Sequence, residues 1–274
     1  MFVCKDQYDL NDFIELIAFL RSENGCPWDR IQTHSSIRRN LLEETYELCE
    51  TIDANDIHHM QEELGDVLMQ VLFHTSIESD AGHFDLNDVA DRACKKLVSR
   101  HPNVFGHKTD KDWDQLKRDE RGEETVASTM DSIARNLPAL WRAEKIQKKA
   151  AKVGFDWPDL SSALGKAEEE LAELRAGIDA QDSDNIIEEV GDLIFAVVDV
   201  ARKCGVDPEM AVHRSCEKSI SRFAFMEQQA EKQGKRMEDM SLCEMEMLLQ
   251  QARQTLEGKT PDYTNLKYFA SLEQ

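Results

Sequence analysis

The chain has 274 residues, enough for two domains of ordinary size, and its 41% hydrophobic and 32% charged residues fit a folded globular protein and not a disordered one. A formal net charge of −21, from 33 basic and 54 acidic residues, excludes nonspecific binding to nucleic acid or to an anionic membrane, since both need a basic face. Seven cysteines without a CxxC pair read as reduced thiols, and with no apolar leader or run of roughly 18 apolar residues the expected address is the cytoplasm.

Apolar spacing predicts an amphipathic helix over 10–21, with Phe13, Ile14, Ile17, Ala18 and Leu20 on its buried face. Asn24-Gly25-Cys26-Pro27-Trp28-Asp29 breaks it. Residues 33–36 can cap a helix that runs through Glu50, and a further helix is expected over 57–77. Asp88 opens another, which His101-Pro102 stops after Arg100. The charge-dense stretch 106–129 reads as an interdomain connection, partly helical. Pro138 begins the next helix, Gly154-Phe155-Asp156-Trp157-Pro158 forms a loop, three more helices follow from Ser161, and 241–256 adds a last one. No stretch alternates like a strand, so the fold class is all α.

One acidic signature is written twice. Glu43-Glu44-Thr45-Tyr46-Glu47 and Glu62-Glu63-Leu64-Gly65-Asp66 recur 126 residues later as Glu169-Glu170-Leu171-Ala172-Glu173 and Glu188-Glu189-Val190-Gly191-Asp192. Ile52-Asp53-Ala54 and Val71 match Ile178-Asp179-Ala180 and Val197 at the same offset, which makes this an internal duplication. Arg92, Lys96 and Arg100 match Arg214, Lys218 and Arg222 at an offset of 122, so four residues differ in a loop near 78–85 or its counterpart.

At about 100° per residue, Glu169, Glu170 and Glu173 share one helical arc, as do Glu188, Glu189 and Asp192. If the two helices of a copy lie antiparallel, the arcs converge. Carboxylates that close repel unless a cation neutralises them, and Mg²⁺ or Mn²⁺ is the natural occupant of an all-oxygen site. A solvated helix face is the alternative, and it explains less well why acids recur while Thr45 and Leu171 do not. Gly65 and Gly191, costly inside helices, point to a packing reason. The triplets Arg92/Lys96/Arg100 and Arg214/Lys218/Arg222, spaced four apart, either pair with nearby Glu or form the cationic jaw of a polyphosphate clamp. Trp28, Phe155 or Trp157 can stack on a base or simply pack, and His34 can be a ligand, a phosphate donor or a cap. No Glu-x-x-His pair, P-loop, GxGxxG or GxSxG is present, which removes the di-iron, P-loop, Rossmann and serine-hydrolase readings.

EExxE, then 15 residues, then ExxD in a helical chain resembles the MazG family of nucleoside triphosphate pyrophosphohydrolases. Asn24-Gly25-Cys26-Pro27-Trp28-Asp29, Leu42-Glu43-Glu44-Thr45-Tyr46-Glu47, His101-Pro102-Asn103-Val104-Phe105, Leu137-Pro138-Ala139-Leu140 and Val153-Gly154-Phe155-Asp156-Trp157 strengthen the likeness, which spans roughly 10–256. The resemblance implies two tandem helical-bundle MazG-like domains, 1–125 and 126–274. It implies Mg²⁺-dependent cleavage of nucleoside triphosphates between the α and β phosphates, with broad specificity and a role in cleansing nucleotide pools.

Carried onto this chain, Glu170, Glu173, Glu189 and Asp192 hold metal in the second copy, and Glu44, Glu47, Glu63 and Asp66 in the first. Glu169 or Glu188 orients the attacking water. Lys218 and Arg222, with Lys96 and Arg100 by duplication, grip phosphates; Lys166, Arg253, Trp157 and Trp28 complete the substrate contacts. The last helix departs from the family by lacking a Trp and by placing Arg253 where a Lys is expected, while the resemblance still favours the second copy as the more active. Three long helices per copy are thin cover for an apolar stripe, so a homodimer or larger homo-oligomer is expected. A noncatalytic acidic helical regulator, and a narrow pyrophosphatase for dUTP, dCTP or phosphoribosyl-ATP, are the rival readings.

Overall fold

The computed structural model describes residues 2–106, 109–111, 113–122 and 125–259, and no strand occurs among them. Residues 107, 108, 112, 123 and 124 of the expected connection, and 260–274 of the second expected domain, lie outside the described residues. The chain forms two compact units, Met1–Glu120 and Arg121–Gln274.

In the first unit, α1 (Leu10–Arg21) starts at a capping box in which Asp9 and Asp12 each accept from the other's backbone N–H. The loop after it holds one short helix, α2 (Pro27–Arg30). Thr33 and Ser36 close the expected cap of α3 (His34–Ala54), which ends at Asn55 in the left-handed region. Asp56 caps α4 (Ile57–Asp80) at once. A turn this short folds α4 back along α3 as a helical hairpin, and the two helices pack on each other. The third helix, α5 (Leu86–Arg100), starts two residues before Asp88, because Asp85 is the cap and Asp88 completes its box. α6 (Trp113–Arg121) follows.

The second unit repeats this plan after α7 (Val126–Asp131) and α8 (Ala139–Lys152), for which Pro138 is the flanking residue and not the first helical one. α9 (Leu160–Ala180) has the same length and phase as α3, and Gln181, at φ 54°, repeats the left-handed stop of Asn55. Asp182 caps α10 (Ser183–Lys203) as Asp56 caps α4. The four-residue change of offset falls where expected: α4 is three residues longer than α10, and one more linker residue precedes α5 than α11 (Pro208–Lys232). A 3₁₀ turn (Met237–Asp239) and α12 (Leu242–Glu257) complete the unit.

Apolar burial differs between units. Ile17, Ile37, Leu72 and Phe73 join α1, α3 and α4 in the first core. Met226, Ala230, Met240 and Leu248 join α11 to α12 in the second. Both hairpins leave one apolar stripe exposed: Leu64, Leu68 and Val71 on α4, and Val190, Ile194 and Val197 at the matching positions of α10.

Candidate metal centre and nucleotide cavity

The hairpin geometry brings the acidic arcs together in both units. One carboxylate oxygen each from Glu170 and Glu173 on α9 and Glu189 on α10 lie within 4.8 Å of one another, and Glu44 on α3 with Glu63 and Asp66 on α4 do the same. Each trio is drawn from an expected set of four. Glu47 lies close enough for its charge to act on Glu44 and Glu63, while Asp192 lines the adjoining cavity.

The electrostatics of the two trios differ. In the first unit burial, reinforced by neighbouring carboxylates, raises the pKa of Glu44 and of Glu63, and Glu63 Oε2 is buried without a partner. In the second, Lys166 reaches down its own helix to Glu169 and Glu170, at 2.7 Å from each. That ammonium lowers the pKa of Glu170 and is itself held protonated by the pair. Glu173, farther from the lysine, is raised by partial burial and by Glu170. Asn185, one turn ahead of Glu189, donates to its carboxylate at 2.9 Å and fixes its direction. Both donor sets are hard carboxylate oxygens, which suits a small divalent cation.

Beside the second trio lies a cavity of about 520 Å³. Its floor is the face of α10 that carries Asp192, Phe195, Ala196, Asp199 and Arg202, spaced as successive turns of one helical stripe. α8 supplies Gln147 and Ala150, and the loop before α9 supplies Phe155 and Trp157. Asp156 anchors that loop: it pairs with Arg202 and with Lys203, whose ammonium also donates to the Trp157 carbonyl at 2.7 Å. Trp157 therefore lines the cavity, and Phe155 lies at its edge with 82% of its surface exposed.

Lys218, Arg222 and Arg253 are not among the cavity-lining residues. Arg222 pairs with Glu257 at 2.6 Å, and with Lys259 this holds the Glu257 carboxyl down at about 2. In the first unit Arg100 pairs with Glu120 at 2.6 Å and stacks over Trp113, its guanidinium carbon 5.3 Å from the ring centroid. The third cation of each stripe is thus matched by a glutamate, whereas Lys96 and Lys218 are exposed. Trp28 is exposed on α2. The packing reason expected for Gly65 and Gly191 is not found: a Cβ at either would meet nothing within 4 Å, so their space is open within the unit.

Two features escaped the sequence reading. Gln147, Asp199 and Arg202 line the cavity, and their signal was available: Asp199 and Arg202 stand where the duplicate has Phe73 and Ser76, so charge replaces an apolar residue at the inward face. In the first unit His34, read as a cap or ligand, sits in a hydrogen-bonded chain. Its Nδ1 meets His74 Nδ1 at 2.7 Å, its Nε2 meets Glu78, and Glu78 also meets His83 at 2.7 Å.

Comparison with known proteins matches the sequence of these segments to a family. The model of the MazG nucleotide pyrophosphohydrolase domain matches twice, over residues 32–105 and 160–224, the segments that carry the two hairpins and third helices. A nucleoside triphosphate pyrophosphohydrolase/pyrophosphatase MazG of Thermotoga maritima is 40% identical over 88% of this chain and 94% of its own length. The nucleoside triphosphate pyrophosphohydrolase of Escherichia coli K12 is 40% identical over 84% of this chain and 91% of its own. An uncharacterized protein, YabN, of Bacillus subtilis is 42% identical over 90% of this chain but only 52% of its own length.

Proposed function

Because the chain belongs to the MazG family of nucleotide pyrophosphohydrolases, we propose that it hydrolyses ribo- and deoxyribonucleoside triphosphates to monophosphate and pyrophosphate, with Mg²⁺ as its cation and Mn²⁺ as a substitute. The observation that carries this reading is the second unit's carboxylate trio opening onto a 520 Å³ cavity edged by two aromatic side chains. Phosphates need the cation and a nucleoside needs the apolar space, and both lie along one face of α10.

In this reading Glu170, Glu173, Glu189 and Asp192 hold the cation in the second unit, and Glu44, Glu47, Glu63 and Asp66 hold one in the first. When bound, the cation would lower the pKa of a water and offset charge growing on the phosphates. Lys166 keeps Glu170 ionised and directs both Glu169 and Glu170, Glu169 or Glu188 orients the attacking water, and Lys218 and Arg222 approach the phosphates from α11. Trp157 and Phe155 take the base by stacking, which favours breadth over a single nucleotide and suits removal of aberrant or surplus nucleotides. The exposed stripes of α4 and α10, flanked by the open space at Gly65 and Gly191, support a homodimer. Seven cysteines, none of them in a disulfide, support a cytoplasmic address. Among the described residues no helix is long and apolar enough to cross a membrane.

The test is pyrophosphate release from a panel of ribo- and deoxyribonucleoside triphosphates with Mg²⁺ and with chelator. Glu173→Ala and Asp192→Ala should each lower kcat/KM on the order of 100-fold, and Glu47→Ala and Asp66→Ala much less. No pyrophosphate from any nucleotide would leave a noncatalytic helical regulator as the better account.

A further inference from the structure

Within the cavity wall one polar atom is left without a partner. Gln147, on the inward face of α8, is 7% exposed and lines the cavity. Its Nε2 donates to the Phe195 main-chain carbonyl at 2.8 Å, and this bond decides the orientation of the amide, since the oxygen could not occupy that position without facing another acceptor. Gln147 Oε1 is buried and accepts from nothing. Buried acceptors are almost always satisfied, and an orphan in the wall of a ligand-sized cavity points to a donor that the ligand brings.

The surrounding groups narrow what that donor is. Arg202 is engaged by Asp156 and Asp199, and Lys166 by Glu169 and Glu170, so the wall's own cations are committed elsewhere. Gln147 reaches α10 at Phe195, one turn beyond Asp192 and so about 5 Å along the axis from the acid site. Phosphates bound at the acids would place a nucleoside, not another phosphate, against Gln147, with Trp157 and Phe155 available to its flat face.

Resting on the pyrophosphohydrolase reading above, we propose that Gln147 Oε1 is the base-reading acceptor of the second unit, taking an N–H from the hydrogen-bonding edge of the nucleobase. Adenine, cytosine and guanine each present an amino donor, and uracil and thymine a ring N–H. One acceptor held in place by a main-chain carbonyl therefore admits every ordinary base while rejecting a ring that has no N–H to give. Breadth and selectivity then come from the same atom.

Two substrate pairs isolate that atom: ATP against purine riboside triphosphate, which lacks only the 6-amino group, and CTP against 2-pyrimidinone riboside triphosphate, which lacks only the 4-amino group. Pyrophosphate release should favour the amino-bearing member of each pair about tenfold in kcat/KM. Gln147→Met, similar in length and without an acceptor, should bring both ratios close to one while cleavage of the deamino substrates persists. Equilibrium binding of α,β-methylene analogues of the same pairs supplies the same ratios without cleavage. A wild-type binding ratio near one in both pairs overturns the proposal, as does a Gln147→Met protein that keeps the preference. Absence of cleavage alongside a preserved binding preference would instead count against the enzymatic reading and leave the base contact standing.

Discussion

Phe73 in the first unit is buried in a core with Ile17, Ile37 and Leu72; the matching residue of the second unit, Asp199, lines the cavity and pairs with Arg202. Gln70, 5% exposed, likewise stands where the second unit has Ala196 on the cavity floor, and Ile37 stands where it has Ala163. The acids in front of these positions are the same residue types at the same phase. The first unit thus keeps the carboxylates and carries Gln70 and Phe73 at the two positions where the second unit's cavity floor has Ala196 and Asp199. In the reading proposed above, holding a cation and holding a nucleoside are separable tasks for this hairpin, and the floor of α10 would join them.

Rebuilding the first unit's floor in the second is the strongest way to break that distinction. Ala196→Gln copies Gln70 and pushes a long side chain toward the cavity. We expect kcat/KM for pyrophosphate release to fall by about tenfold or more, mainly through KM, because the lost volume is where the nucleoside would sit. Carboxylate geometry should survive, so Mn²⁺ titration of the variant should match wild type. Unchanged turnover would show that the cavity floor is not the nucleoside site.

The helices and their duplication were legible because both are periodic properties of the chain. Apolar spacing marks α3, α4, α9 and α10, and the caps Asp56 and Asp182 recur at the same offset as the acids they precede. Convergence of the acids was legible only on the condition that the two helices lie antiparallel; the two-residue turn that folds them back became visible once α3 was seen to run on past Glu50 to Ala54. The cavity was not legible, because it exists only where α8 packs across α10, and nothing local to Gln147 announces Phe195 as its partner 48 residues away. The pairing of Arg222 with Glu257, 35 residues apart, was hidden for the same reason. Lys166, by contrast, reaches Glu169 and Glu170 within one turn, and spacing alone could have placed it with the acids.

Lys166 also separates the two units by their response to pH. Glu44 and Glu63 carry raised pKa values in the fold, so their contribution to stability is fully present below the ordinary value of 4.5 and is lost as pH rises through the raised values. Glu170, lowered by Lys166, acts in the opposite sense: its contribution is present above 4.5 and is lost as pH falls. Glu173 acts as Glu63 does and partly cancels it. Without divalent cation, raising the pH from about 4.5 toward neutrality should therefore reduce hydrogen-exchange protection more in α3 and α4 than in α9 and α10. Added Mg²⁺ at neutral pH should restore it, because the cation supplies the charge that protonation had removed. Equal loss in both hairpins would mean that Lys166 does not distinguish them. Asn40, which occupies the lysine's position in the first unit, offers a sharper version: Asn40→Lys should flatten the response of α3 and α4.

The finest difference concerns a single hydrogen bond behind the second trio. Gly177 is buried on α9, and a Cβ there would lie 2.5 Å from Asn185 Oδ1, the other end of the amide that donates to Glu189. The first unit has Thr51 and His59 at these positions, and His59 turns away to Asp56 at 2.6 Å, so it makes no use of the space that Gly177 keeps clear. Gly177→Ala gains helix propensity worth about 1 kcal/mol, and the contact it creates falls on the end of a side chain that can rotate, so global stability should change little. Rotation, however, takes the amide off Glu189. Outer partners of metal ligands typically matter by 10- to 100-fold, and since Asn185 holds only one of the carboxylates we expect Mn²⁺ affinity of the second unit to fall about threefold to tenfold. Asn185→Ala should produce the same loss, and the double variant no more than either alone, because both remove one bond. Additive losses would mean that Gly177 acts through the packing of α9 on α10 and not through Asn185.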